Sequence, residues 1–205
     1  MPKQTFYNLP DDKKQILIQA LEEEFSRAPL FHASISNIVK SADIPRGSFY
    51  QYFEGKEDAY FYLISRQVES SKKLFITCLM KYDGDLFHAV TELFKQIVEE
   101  LSKGDHINFL KNVFLNMTHE IENKFTRIFN GNDSRGQFCK MNALINKDNL
   151  NVSNENELYH LVQIIGTITI RNLIEKIAQE LSSETAMNNF HIELTLLKEG
   201  LYKRS

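Results

Sequence analysis

Apolar residues along this chain recur at helical spacing and almost nowhere alternate with polar ones. Leu17, Ala20, Leu21 and Phe25 share one face of a 3.6-residue period. Pro10 suits a first helical position, and Asp11 and Asp12 complement the helix dipole, so a first helix is predicted from there to Ala28-Pro29. A second helix is predicted from Ser34, a good N-cap, burying Ile35, Ile38 and Val39 and ending near Ala42-Asp43. A short third helix spans Pro45 to Phe53. Gly55 breaks the chain, and a longer helix runs from Lys56 towards Met80, opened by Glu57 and Asp58. Beyond Gly84 the pattern predicts helices at roughly 86–102, 105–130, 135–147, 155–181 and 184–203.

Proline supports this reading. Its four occurrences, at 2, 10, 29 and 45, leave the rest of the chain free to form long helices. No run of alternating β-branched and polar residues argues for a sheet. The predicted fold class is all-α, without internal repeats or low-complexity tracts. Two helices carry near-heptad stripes: Leu158, Leu161, Ile165 and Ile168, then Met187, Phe190, Leu194, Leu197 and Leu201. Such stripes pack helix against helix, and spacing alone leaves open whether the partner helix is in the same chain.

Composition narrows the function classes. Apolar residues make up 42% of the 205 residues and charged residues 25%, which suits a globular chain that buries a core. No apolar run approaches the roughly 20 residues of a membrane span. The segment MPKQTFYNLPDD has no signal-peptide character, and Cys78 and Cys139 form no CxxC pair, so a cytoplasmic protein is expected. The chain has no G-x-S-x-G, H-E-x-x-H, Walker or dinucleotide fingerprint, so no enzyme is predicted. His119 and His160 have no second ligand at i+3 or i+4, and neither a metal nor another cofactor is proposed.

Net charge is −3, and residues 1–56 carry seven cations and seven anions, so bulk charge does not announce a nucleic-acid partner. The distribution does more. Acids gather in Glu22-Glu23-Glu24, whereas Lys40, Arg46 and Lys56 surround the stretch ADIPRGSFYQYFEGK. The helices at 34–42 and 45–53, joined by a short turn, form a helix-turn-helix pattern, whose second helix enters the major groove N-terminus first. Pro45 starts that helix. Arg46 can fork onto guanine or reach a phosphate. Gly47 lets backbone approach closely, and Ser48 can bond base or phosphate. Tyr50, Gln51 and Tyr52 offer polar tips to the DNA backbone. Lys56 adds an ammonium at the start of the next helix. Phe49 and Phe53 are expected to point inward, against Ile38 and Phe25.

The segment ASISNIVKSADIPRGSFYQYFEGKEDAYFYLI resembles the DNA-binding domain of the tetracycline-repressor (TetR) family of bacterial regulators. The resemblance covers about residues 10–65, including Leu17, Ala20, Leu21 and Phe25 of the first helix. The chain departs from the family pattern at three positions: Asp43 stands where glycine is usual in a left-handed turn, Glu24 where an aliphatic residue is usual, and Pro45 where a serine N-cap is common. The candidate DNA contacts are Ser34, Ser36, Pro45, Arg46, Gly47, Ser48, Tyr50, Gln51, Tyr52 and Lys56.

The resemblance implies a helix-turn-helix domain at 1–56 and a ligand-binding and dimerisation domain at 57–205. The expected partners are a double-stranded DNA operator, a small-molecule inducer and a second copy of the chain, with no membrane. The expected function is a dimeric regulator, a repressor released from a palindromic operator by a small, largely apolar ligand. The rival is a nucleoid-associated or division-linked DNA-binding protein of the same fold, without an inducer. Candidate pocket residues are Phe94, Phe109, Phe114, Met117, His119, Phe125 and Ile164. The resemblance assigns the stripes to the dimer interface, as Leu158, Leu161, Ile165, Ile168, Phe190, Leu194, Leu197 and Leu201. Arg171, between ITI and NLI, is suited to a carboxylate on a ligand or across that interface.

Overall fold

The computed structural model describes residues 1–102, 106–116, 118–119 and 141–200. Among these residues the chain is helical, with no strand. The helices are α1 (Gln4–Tyr7), α2 (Asp11–Arg27), α3 (Ile35–Ser41), α4 (Arg46–Tyr52), α5 (Lys56–Lys81), α6 (Leu86–Leu101), α7 (His106–Leu115), α8 (Glu155–Ala178) and α9 (Ser183–Glu199). The predicted helices are present with two exceptions: the one at 105–130 ends at Leu115, with a turn at Asn116, and of the one at 135–147 the structure describes only Met141 and Asn142 as helical before a turn. Helix α1 is an addition. A four-residue helix is too short for periodicity to announce.

The chain divides into two compact units. The first holds α1 to α4, α5 as far as Glu69, and α7; the second begins at Ser70 in α5 and holds α6, α8 and α9.

The core of the first unit is aromatic. Phe6, Phe25, Phe49, Phe53 and Tyr60 are essentially sealed from solvent, together with Leu17, Leu21 and Ile38. Each such side chain contributes about 1.5–3 kcal/mol by leaving water. Tyr60 packs edge-on against Phe25 and Phe109, with ring centroids 5.1 and 5.7 Å apart. Helix α7 is held by more than apolar area: Asn112 donates from Nδ2 to the carbonyls of Phe25 and Ser26 at the end of α2, both at 2.9 Å. Those carbonyls belong to a helix end, where intrahelical donors run out.

In the second unit the cores of α6, α8 and α9 meet. Phe94 stacks on Phe190 with centroids 3.9 Å apart, among Leu86, Val90, Leu158 and Ile165. The helix starts are capped by side chains. Asp85 accepts from the His88 N–H, Asn154 from the Glu157 N–H and Ser182 from the Thr185 N–H, at 2.9, 3.0 and 3.0 Å. Gly84 turns the chain into α6 with a φ of +80°, and its carbonyl accepts from the Asn146 N–H at 2.9 Å.

The stripes on α8 and α9 divide between the core of their own chain and a partly covered edge. Leu158, Ile165, Phe190 and Leu194 are buried in the core of their own chain, so they offer no area to a second subunit. Leu161, Ile168 and Leu197 are partly buried against the same core. The apolar side chains that reach solvent are Ile164, Ile192 and Leu196. Each lies one to two positions from the expected stripe. A 3.5-residue repeat drifts around a straight helix, and two-sided burial lets the inner face claim the strongest apolar positions.

Candidate nucleic-acid interface

The interface begins with a turn. Helix α3 ends at Ser41, and Asp43 takes the left-handed conformation, with a φ of 50°. The Ile44 N–H closes back to the Val39 carbonyl at 3.0 Å. This is the left-handed position expected at Asp43, and the aspartate adopts it at a cost that glycine avoids. Pro45 then stands at the N-cap of α4 and makes no side-chain cap.

Helix α4 divides its residues by face. Phe49, with Phe53 just beyond the helix, faces the core, as predicted. Arg46, Gly47, Tyr50 and Gln51 are exposed; Ser48 and Tyr52 are half-buried, and Tyr52 packs against the core. No heavy atom outside its neighbours lies within 4 Å of where a Gly47 Cβ would stand. The absent side chain therefore leaves open surface, not room for another part of the chain.

Ser36 and Arg46 are brought together: the guanidinium donates to the Ser36 hydroxyl at 2.7 Å. This ties the first turn of α4 to α3 and points both polar groups to the same exposed surface. Ser34 stands at the N-cap of α3, but its hydroxyl makes no capping bond. Its backbone N–H is instead taken by Glu24, at 2.6 Å.

Glu24 is the residue that sequence reasoning undervalued. Only 4% exposed, its carboxylate accepts two bonds from Arg27, at 2.8 and 2.6 Å, and one from Asn37 at 3.1 Å, besides the Ser34 N–H. Burial works to raise its pKa, but the bonds from Arg27, Ser34 and Asn37 outweigh it and hold the carboxyl below the ordinary glutamate value. The acid fastens α2 to the N-terminus of α3, where the helix dipole also favours a negative charge. The signal was present as a carboxylate three residues before Arg27.

Lys56 has a different placement from the one expected. Its half-buried ammonium donates to the carbonyls of Phe31 and Ala33 at 2.9 and 3.2 Å. Two of its three protons fasten the loop before α3, so Lys56 positions the motif more than it presents a free charge.

The second-unit candidates scatter. Phe94 is inside the second core, whereas Phe109 and Phe114 belong to the core of the first unit. Ile164 and His119 are exposed. Met117, Phe125 and Leu201 lie outside the described residues. Arg171 pairs with Glu175 and Glu193 of its own chain, so its carboxylates are internal ones. Asn172 joins them, donating to Glu193 at 2.9 Å. Among the described residues no cluster of His, Cys, Asp and Glu could hold a metal ion, and no helix is long and apolar enough to cross a membrane.

An exposed α4 set on α3 across a left-handed turn, over a sealed aromatic core, defines a helix-turn-helix DNA-binding protein. Residues 17–61 match the family model for bacterial regulatory proteins of the tetR family, and residues 85–201 match the tetracyclin repressor-like C-terminal domain. The second match alone spans more than half of the chain, and the chain belongs to the TetR family of transcriptional regulators. It is a DNA-binding regulator and not an enzyme. Solved structures share the fold at low identity. The fatty acid degradation regulator FadR from Bacillus halodurans is 18% identical with a TM-score of 0.66, covering 96% of this chain and 100% of that one. The regulator FadR from Bacillus subtilis, solved with stearoyl-CoA, is 16% identical with a TM-score of 0.62, covering 92% and 99%. A TetR regulator from Rhodococcus sp. RHA1 is 11% identical with a TM-score of 0.59, covering 94% and 98%. No curated protein matches the chain.

Proposed function

We propose that this regulator is a homodimeric repressor that reads a palindromic operator through α4 and leaves it when a small, largely apolar ligand binds. DNA reading is assigned to residues 1–56, and ligand binding and dimerisation to 57–205, in the cytoplasm. The observation that carries the reading is the division of α4: Arg46, Gly47, Tyr50 and Gln51 face solvent while Phe49 is sealed inside. A recognition helix needs one face that holds it and one that reads.

Dimerisation is supported by the apolar side chains left on α8 and α9. Ile164, Ile192 and Leu196 are each about half exposed, at 48%, 49% and 50%. Ile168 and Leu196 also share a groove with Glu193, Leu197 and Gly200. A two-fold dimer would set two recognition helices about 34 Å apart, one turn of DNA. Helix α5 runs unbroken from Lys56 to Lys81 and is one of the three places where the backbone passes between the two units. A ligand that favours the wrong spacing of recognition helices needs a coupling of about 1–3 kcal/mol. The apolar character of the ligand rests on the stearoyl-CoA held by the Bacillus subtilis neighbour and not on Phe109 or Phe114, which pack in the core of the first unit. Long-chain acyl compounds, the class bound by the Bacillus subtilis neighbour, are a reasonable first screen.

The test is fluorescence anisotropy of the purified chain with DNA from upstream of its own gene and with scrambled DNA, over a salt series. Tight, selective binding with a steep salt slope supports the repressor. Equal, weak binding to both fragments favours the general nucleoid factor, as would tens of scattered sites in genome-wide occupancy.

A further inference from the structure

The recognition helix has only seven residues, Arg46–Tyr52, and no side-chain cap at its N-terminus. A helix that short does not hold itself together in water. The Phe53 N–H closes on the Phe49 carbonyl, so the last intrahelical acceptor is Phe49. The next three carbonyls, of Tyr50, Gln51 and Tyr52, are the orphans of the helix end. All three are taken by residues that precede α2. Lys3 donates from Nζ to the Tyr50 carbonyl at 2.9 Å and from its backbone N–H to the Tyr52 carbonyl at 2.8 Å. The Thr5 hydroxyl donates to the Gln51 carbonyl. Phe6 anchors the segment: it is fully buried, with its ring centroid 5.1 Å from Phe53 and 4.9 Å from Tyr62.

We infer that residues Lys3–Phe6 form a strap that caps the recognition helix from outside the motif and positions Tyr50, Gln51 and Tyr52 for DNA. Lys3 and Thr5 are positioning residues, acting through the carbonyls they hold. The Lys3 ammonium also sits at the negative end of the helix dipole, where a cation is favoured. The inference rests on α4 being the DNA-reading helix.

Thr5→Val removes the hydroxyl at nearly constant shape, and Thr5→Ser keeps it. Both are made in the full chain. The first readout needs no DNA: amide hydrogen exchange of Tyr50 to Phe53 in the free protein. Thr5→Val should speed exchange there by about three- to tenfold, the scale of one hydrogen bond, with Thr5→Ser near wild type. The second readout is anisotropy with a duplex selected from a random library by the wild-type protein. Its affinity for Thr5→Val should fall by about the same factor, with an unchanged salt slope because no charge is altered. Unchanged exchange at Tyr50 to Phe53 overturns the strap, as does a rise spread evenly over the first unit. Faster local exchange with unaltered affinity overturns its positioning role. If the wild-type protein selects no duplex, the repressor reading fails, and the exchange data still decide whether the strap caps α4.

Discussion

The Arg46 guanidinium is held 2.7 Å from the Ser36 hydroxyl, so the one arginine of the recognition helix is aimed before any DNA arrives. A pre-aimed side chain loses less rotamer freedom on binding. Arg46→Ala should cost about 1–3 kcal/mol of specific affinity, the scale of one bidentate base contact. Ser36→Ala should cost less, about 0.5–1 kcal/mol, because it removes the aim and not the donor. Anisotropy on the selected duplex and on scrambled DNA checks both. Equal losses on the two DNAs would make Arg46 a phosphate contact only.

Gly47 makes a second, separable prediction. Nothing lies within 4 Å of a Cβ placed there, so Gly47→Ala fits the free protein. Alanine in place of glycine inside a helix should stabilise by about 0.5–1 kcal/mol. The same methyl should obstruct close approach of the backbone to DNA and weaken binding. Urea titration and anisotropy on one preparation should move in opposite directions. Unweakened binding would show that the glycine is not a point of close contact.

Glu24 predicts a pH dependence. Its folded carboxyl titrates below the ordinary value of 4.5, so the folded state stabilises the charged form. The contribution is therefore complete above about pH 4.5 and is lost as pH falls through the lower folded value. Glu24→Gln should flatten that part of the stability profile between neutral and acid pH. Glu24→Ala should cost about 1–3 kcal/mol at neutral pH by removing the acceptor of the half-buried Ser34 N–H. Denaturation of the first unit at a series of pH values measures both effects. A Glu24→Gln profile parallel to wild type would reassign the acid sensitivity to other groups.

Gly84 carries the sharpest steric prediction. A Cβ there would stand 2.4 Å from the Leu144 carbonyl oxygen and 2.7 Å from the Asn146 nitrogen, both backbone atoms, at a φ of +80°. Neither atom can step aside as a flexible side chain would. Gly84→Ala should destabilise the second unit by at least about 2 kcal/mol. Thermal or urea unfolding checks it, and a wild-type midpoint would mean the loop at 144–146 sits elsewhere.

The legible part of this molecule was the part governed by local rules. Helix starts at Asp11, Ile35 and Arg46 followed from proline, serine and acid placement, and the inward turn of Phe49 and Phe53 from their spacing of four. Asp43 was recognisable as a left-handed position only through the family resemblance, which has glycine there. What escaped depended on contacts distant in sequence. Nothing near Lys3 says that its partners are carbonyls at 50 and 52, and nothing near Asn112 points to Phe25. The α8 and α9 stripes were visible as apolar, but which edge faces inward is decided by Phe94 meeting Phe190. An i, i+4 pattern cannot report which neighbour it serves.

That last distinction makes the dimer testable by contrast within one helix. Leu194 is buried in its own chain, whereas Leu196 is half exposed beside Ile168. Leu194→Glu buries an unpaired charge and should unfold the second unit, at a cost of several kcal/mol (about 3–5 by analogy with broken buried pairs). Leu196→Glu keeps its charge in water within the monomer and should leave the fold intact. If two copies meet on this face, that charge is trapped between apolar surfaces, and light scattering should show monomers with native helix content. DNA affinity should fall with it, because a monomer engages one half-site and forfeits the effective concentration of the second. A folded Leu196→Glu protein that stays dimeric would move the interface off the Ile164, Ile192 and Leu196 face.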